Sequence, residues 1–466
     1  MKKPIRALAA GIVLAGVFAG PGSAAAEPPA GPYPSTYRPW PSEPTAIVHA
    51  VVLDGRGGRI DDGTVLMRDG KLVAVGAEVA IPDDATVIDA AGRWVTPGII
   101  DVHSHLGVYP SPGLRAHSDG NEATAPNTAE VWAEHSVWPQ DPGFIRALAG
   151  GVTVMQILPG SANLFGGRSV VLKNVPARTV QGKKFPGAPY GLKMACGENP
   201  KRVYGSKGRA PSTRMGNFAG YRAAWIKAAD YRRQWEEYEA KKAKGGAEAK
   251  KAKPPKRDLE LETLKGVLEG RIRVQMHCYR GDEMAQVIDM SKEFGYHVAA
   301  FHHAVEAYKV ADLLAENGIC AAMWADWWGF KLEAYDGIRE NIPFVDRAGA
   351  CAIVHSDSAI GIQRLNQEAA KALADGRKAG LEISKAQAWT WLSYNPAKAL
   401  GIEDRTGSLE VGKNADVVLW SGDPFSVYTK ADKVFIDGAL IWDRHDPAHQ
   451  PVSDFELGQP GEGDVK

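Results

Sequence analysis

The sequence predicts an α/β protein: a (β/α)8 TIM-type barrel carrying a small β-sandwich formed from both chain ends. Three observations predict it. Through the middle of the chain, apolar strand-like runs alternate with helical stretches, which implies parallel strands joined by crossovers. The runs are nearly continuous in apolar residues, which implies burial on both faces. At each end the pattern changes to short alternating runs separated by turn signals, as in a meander of strands. Roughly 300 residues of the strand-helix pattern suit a closed barrel better than a small open sheet.

In chain order, Lys2, Lys3 and Arg6 precede the apolar stretch ALAAGIVLAGVFAG and the small residues of PGSAAAE. That is the layout of a secretory signal over residues 1–26, with cleavage after Ala26. The stretch is short for a spanning helix, and no later run is long and apolar enough for one. The mature chain is expected to be periplasmic or secreted, with no stable membrane insertion. Residues 27–44 are rich in proline and read as an extended linker. The runs AIVHAVVLDG, GTVLMRDGKLVAVG and ATVIDAAGRWV read as strands within residues 45–98. GSLEVGKNADVVLW and KVFIDGALIWD, within residues 402–450, are of the same kind and complete the composite sandwich.

Residues 99–401 form the expected barrel. Its strand runs include GVTVMQIL, GLKMAC, RIRVQMHC, HVAAFHH, GICAAMWAD and GACAIVHSD. Intervening helices such as DEMAQVIDMSKEFG and EAYKVADLLAENG close on Gly, as helix C-termini prefer. Residues 221–258 are highly charged, with a Gly-Gly and a Pro-Pro, and read as a solvated helical insertion with a flexible basic tip. The four cysteines, Cys196, Cys278, Cys320 and Cys351, sit in or beside apolar runs. They read as buried thiols rather than a disulfide framework, with a Cys196–Cys278 bridge between neighbouring strands left open. Lys+Arg 55 equals Asp+Glu 55, so net charge gives no reason to expect a nucleic-acid or anionic-membrane partner.

The chemistry begins at TPGIIDVHSH, residues 96–105. His103 and His105 are two apart, so on a strand they share one face about 7 Å apart and can converge on a metal ion. Unpaired histidines buried together on one face would otherwise be costly. His277 ends RVQMH, His302 and His303 end VAAFHH, and Asp357 ends AIVHSD. All lie at the carboxyl ends of apolar runs, where barrel active sites are built. Spacing in strand-helix units places His103 on strand 1, Lys193 on strand 4, His277 on strand 5, His303 on strand 6 and Asp357 on strand 8.

This set, followed by SYNPAKALGI and GSLEVGKNADVVLW, resembles the amidohydrolase superfamily of metal-dependent hydrolases, and within it the imidazolonepropionase-like branch. The resemblance runs from about residue 45 to 445 and implies a metal-activated water that attacks a C–N bond. It implies His103, His105, His277, His303 and Asp357 as ligands of one or two divalent ions, zinc above all, with Asp357 as the proton acceptor. Family members place a carboxylated Lys or a Glu on strand 4. Lys193 and Glu198 both answer to that position, and the native carboxylate favours Glu198. His303, followed by Ala304, takes the metal, and His302 faces outward. His355 and Asp101 stand as supporting or packed groups. Trp324, Trp327 and Trp328 form an apolar wall at the mouth or pack as a lid. The stretch PGSANLFGGRSVVLK lines the pocket or turns the chain.

The expected partner is a small-molecule substrate with an amide, cyclic amide or dipeptide bond, and self-association is left open. The rival readings are a deaminase of the same superfamily and an exported binding protein that keeps a metal-stabilised barrel.

Overall fold

The computed structural model describes residues 32–453; the leader predicted for residues 1–26 and the start of the linker lie outside the described residues. The first strand, β1 (Thr45–Leu53), is buried except at His49 and Val51, as the apolar run AIVHAVVL dictates. It pairs antiparallel with β2 (Arg59–Arg68), which turns through Asp69-Gly70 into β3 (Lys71–Gly76). Strands β4 (Thr86–Asp89) and β5 (Trp94–Pro97) run parallel to β1.

Gly98 separates β5 from the second sheet. Here β6 (Ile99–Ser104), β7 (Val152–Ile157), β8 (Phe165–Lys173), β9 (Tyr190–Ala195), β10 (Ile272–Cys278), β11 (Val298–His303), β12 (Cys320–Met323) and β13 (Cys351–Val354) lie side by side in sequence order. Every residue of β6, β7, β11, β12 and β13 is buried, as expected for strands covered on both faces. The last strand returns to the first just beyond their ends. Asp357 N donates to His103 O (3.0 Å), and Ser356 N donates to Asp101 Oδ1 (3.2 Å). Asp101 therefore fastens the seam of the barrel.

One strand departs from the parallel rule. β8 runs antiparallel to both β7 and β9. No helix lies between Ile157 and Tyr190, and short connections of that kind permit antiparallel pairing where a parallel crossover would not. The stretch PGSANLFGGRSVVLK thus turns the chain and then becomes the third barrel strand. At Gly167 (φ +110°) an added Cβ would lie 2.4 Å from Val131 O, so the strand's path here requires glycine.

The chain ends with β14 (Val417–Trp420), β15 (Ala431–Ile436) and β16 (Ala439–Asp443). β14 pairs antiparallel with β5, giving one sheet in the order β16-β15-β14-β5-β1-β2-β3. The composite end domain is therefore real, and its seam joins strands 320 residues apart in sequence. Within the sheet Trp420 Nε1 donates to Thr96 Oγ1 (2.9 Å), and one indole ties the sheet to the barrel, Trp389 Nε1 donating to Pro97 O (3.3 Å). The proline-rich arm is no loose linker over its described part. Thr36 N donates to Gln181 O (3.0 Å), and Tyr37 Oη donates to Asp437 Oδ2 (2.6 Å), strapping the barrel to the end sheet.

Three helices matter for the site. α1 (Pro142–Ala149) follows the long loop after β6, and α2 (Glu198–Gly205) follows β9. α3 (Arg214–Ala243) spans the boundary drawn at residue 221. Tyr221, Ala224, Trp225, Ala228 and Tyr231 are buried against the barrel, with Trp225 stacked on Tyr296 at 4.5 Å. Only the part beyond Tyr231 has the solvated character predicted, because the apolar residues at helical spacing stop there.

The expectation of buried thiols is corrected: Cys196 is bonded to Cys278, and Cys320 to Cys351. Parallel pairing explains both. Cys320 and Cys351 are register partners on β12 and β13, and Cys196 follows β9 beside the end of β10. Their Cα atoms are 4.3 and 5.2 Å apart, close enough to bridge.

Two of the buried lysines, Lys173 and Lys183, have different consequences. Lys173 is paired with Asp437 (2.8 Å) and Asp416 (3.4 Å). Lys183, only 2% exposed, has no carboxylate within ion-pair distance among the described residues, and its amine lies over the Phe144 ring at 4.0 Å. Burial pushes its pKa down from 10.5 to about 7. Between those values the unfolded chain holds a proton that the folded chain lacks, so this group makes stability rise with pH from about 7 to 10.5. Lys183→Met is therefore expected to be more stable than the parent at pH 7, with the advantage shrinking by pH 10. Urea unfolding at the two values checks this; an advantage independent of pH would show that burial of the charge is not its source.

Candidate metal centre

The site is built at the carboxyl ends of β6, β9, β10, β11 and β13. His103 is the fifth residue of β6, with no exposed surface, and His105 follows two residues on at the barrel mouth. Asp357 comes three residues after β13. Its Oδ1 lies 3.3 Å from His105 Nε2 and 3.6 Å from His103 Nε2, and its Oδ2 lies 3.9 Å from His303 Nδ1. Lys193, the fourth residue of β9, brings Nζ within 3.3 Å of His103 Nε2. His277 ends in ring contact with His303 at 4.5 Å.

Of the two strand-4 candidates, Lys193 lies beside the histidines and Glu198 does not. Glu198 opens α2, where its carboxylate faces Lys331 at 3.7 Å; among the described residues no hydrogen bond or ion pair joins it to the histidines. The expectation that Glu198 joins the cluster is corrected in its placement: its carboxylate lies with Lys331. The chain leaves β9 at Ala195 and turns through Gly197 (φ +77°), which carries the next residues off the barrel axis.

Adjacent histidines normally point to opposite faces of a strand. His302 and His303 both reach the barrel interior, because His303 and Ala304 have positive φ (70° and 37°) and break the alternation at the strand end. The expectation that His302 faces outward is therefore corrected. Its Nε2 meets Gln275 Oε1 (2.8 Å), and its Nδ1 meets His103 Nδ1 (2.9 Å). Gln275 Nε2 donates to Ala399 O (3.3 Å), so Oε1 is the atom left to accept from His302. The proton order is then fixed along the row. His302 Nε2–H donates to Gln275, His103 Nδ1–H donates to His302, and His103 Nε2 presents its lone pair to Lys193 and Asp357. Sequence reading missed Gln275 and the role of His302. The signal was the parity of Gln275 with His277 on one face of β10.

His105 is fixed in the same way. Its Nδ1 can only donate to the carbonyl of Leu158 (2.8 Å), which leaves the Nε2 lone pair facing Asp357. A lone pair and a carboxylate oxygen at 3.3 Å call for a cation between them. Nearby, His277 and His355 are buried with neither ring nitrogen hydrogen-bonded, and His303 Nδ1 also lacks a hydrogen-bond partner. Burial holds His103, His277, His302 and His303 well below the usual imidazole pKa, so they are neutral and able to ligate. Among the described residues two groups have ligand atoms within 4.8 Å of one another: His103, His303 and His355, and His103, His105 and Asp357. Orphaned buried nitrogens next to a carboxylate are the donor set a divalent ion requires, and these residues fit one.

Aromatic rings hold the far wall. Trp324 stacks on His303 at 4.4 Å, Tyr279 stacks on it at 5.1 Å, and Trp324 Nε1 donates to Ser356 O (3.2 Å). Trp327 continues the stack from Trp324 at 5.3 Å. Trp327 and Trp328 are 41% and 50% exposed, so they line the rim rather than the core.

Barrel enzymes carry their chemistry at this end of the strands, and fold and cluster together define an enzyme of that class. Comparison with known proteins narrows it. The profile of the amidohydrolase family matches residues 94–441. The chain is 34% identical over 398 residues to the amidohydrolase tasK of Hapsidospora irregularis, covering 82% of this chain but 40% of that protein's length. It is 26% identical over 400 residues to the imidazolonepropionase of Mesorhizobium japonicum, covering 80% of this chain and 90% of that one. In structure it matches an amidohydrolase from Thermotoga maritima with a TM-score of 0.77 and 35% identity, over 86% of this chain and all of the other. The chain belongs to the amidohydrolase family. It has a TIM-type barrel and a small end domain.

Proposed function

We propose that the protein is an exported metal-dependent amidohydrolase that hydrolyses a C–N bond in an amide, a cyclic amide or a dipeptide. The observation that carries this reading is the Asp357 carboxylate facing the lone pair of His105, beside buried imidazoles with no other partner. His103, His105, His277, His303 and Asp357 would hold one or two divalent ions, with Lys193 in carboxylated form completing the set. Zinc suits so many imidazole donors. Such an ion, when bound, lowers the pKa of a water toward about 7 and polarises the scissile carbonyl.

The protein's own part is proton transfer and orientation. Burial pushes the Asp357 pKa up, but its polar contact with the His105 ring and the nearby His355 and Lys193 outweigh it and hold the group below its usual value, ionised at neutral pH. Asp357 accepts the proton of the attacking water and returns it to the leaving nitrogen. The Gln275–His302–His103 row holds the first imidazole in one tautomer. Trp324 and Tyr279 clamp His303, and Trp327 and Trp328 give the substrate an apolar wall at the rim.

The test is a panel of amides, lactams and dipeptides, with purine and pyrimidine analogues included so that ammonia release would reveal a deaminase. Removal of metal with a chelator is expected to abolish turnover, and added Zn²⁺ to restore it. Turnover that survives complete chelation would overturn the reading. Export is supported by the leader-like start of the sequence and by two disulfides, a bond type that persists in oxidising compartments. Protein recovered from the periplasm is expected to contain no free thiol; four titratable thiols would argue for a reducing compartment.

A further inference from the structure

Away from the metal centre, on the flank of the barrel, a cavity of about 280 Å³ lies between α1, the segment after β8 and the last described residues. Phe144, Ile145, Leu148 and Val175 give it an apolar wall. Two basic side chains face it. The Lys183 amine is buried over the Phe144 ring with no hydrogen-bonded or ion-paired partner among the described residues, and Arg178 at the rim is exposed and unpaired among them. Among the described residues the only acid lining the cavity is Asp141, and its oxygens already accept backbone hydrogen bonds. Its Oδ2 accepts from Gly107 N (2.8 Å), and its Oδ1 accepts from Gly143 N (2.9 Å) and Ser111 N (3.2 Å). Asn174 likewise spends its amide on Phe144 O (3.0 Å) and Val152 O (2.9 Å).

A buried ammonium left unpaired is costly, and proteins either pair it or leave it neutral. Here one cavity is lined by a buried amine without a hydrogen-bonded or ion-paired partner and an exposed guanidinium, beside apolar side chains. We infer that this cavity binds a small amphipathic monocarboxylate, with its carboxylate on Lys183 and Arg178 and its alkyl portion against Phe144, Ile145 and Leu148. The chamber sits just under the roughly 300 Å³ at which pockets for drug-sized ligands begin, so it suits a chain of a few carbons. Burial keeps the free amine near its neutral form, and an arriving carboxylate supplies the counter-charge it lacks. None of these residues belongs to the proposed catalytic machinery, so the inference stands apart from the reading of the metal centre.

Calorimetric titration of the metal-loaded full chain with hexanoate tests it, with hexan-1-ol as the uncharged control. Saturable one-site binding of hexanoate is expected, weakened about 10- to 100-fold in Lys183→Met, as loss of a charge-assisted hydrogen bond would give. Hexan-1-ol is expected to show no saturable binding at the same concentrations. Arg178→Ala, at an exposed position that leaves folding intact, is expected to weaken binding by a smaller factor. Hexanoate affinity unchanged in both variants would place it elsewhere, including on the metal, and would overturn the inference. So would equal affinity for the alcohol, or no saturable binding by the parent chain.

Discussion

Asp357→Asn lowers kcat/KM by about 10²- to 10⁴-fold on any amide the enzyme turns over, the range a general acid–base group contributes, while most of the bound metal remains. The substitution is nearly isosteric. Asn is also among the few residues that tolerate the positive φ of 49° found at this position, so the backbone bond from residue 357 to His103 O survives. What is lost is the ability to take a proton. An amide cannot accept one from water at neutral pH, and it offers His105 a neutral oxygen in place of a carboxylate at 3.3 Å. Steady-state kinetics, metal content and thermal melting on the same preparation separate these effects. Activity within a few-fold of the parent would remove Asp357 from proton transfer.

The second large effect is expected at Lys193. Burial lowers this amine to about 7, against a smaller opposing pull from Asp357, so a substantial fraction is uncharged at neutral pH. An uncharged amine attacks CO₂ at carbon, forming an N–C bond and releasing one proton, and the product is a carboxylate placed beside His103 Nε2. Lys193→Met keeps the length and apolar stem but cannot form that group. It is expected to lower metal affinity by at least 10- to 100-fold, the penalty for losing even an indirect support of a ligand, and turnover with it. Added acetate, supplying the missing carboxylate, is expected to recover part of both. Intact-protein mass spectrometry under native conditions should show the mass of one CO₂ on the parent and none on the variant. Full metal content and activity in Lys193→Met would leave Lys193 a structural amine only.

Most of the barrel was legible because period and spacing are strong signals. Apolar runs ending in His277, His303 and Asp357 recur at strand-helix intervals, and all three side chains arrive at one end of the barrel. The composite end sheet was legible from turn-punctuated runs at both termini. What failed was local and depended on backbone geometry. His302 and His303 reach the same interior only because positive φ at His303 breaks strand alternation, which no periodicity announces. Chemistry alone favours the native carboxylate of Glu198, but Gly197 turns the chain away before that carboxylate can reach the histidines. The second disulfide, Cys320–Cys351, depends on in-register pairing of β12 with β13, and the sequence separation of 31 residues does not reveal it. The antiparallel course of β8 was hidden in the glycine-rich stretch around Gly166 and Gly167, which reads equally well as a turn.

The most direct test is diffraction from zinc-loaded crystals on both sides of the zinc absorption edge. The expected result is an anomalous peak enclosed by His103, His105, His277, His303 and Asp357, with a carboxylate on Lys193 Nζ pointing at it. Catalytically active crystals with no anomalous peak among these residues, or with zinc bound only elsewhere, would contradict the central claim that this cluster is the metal centre.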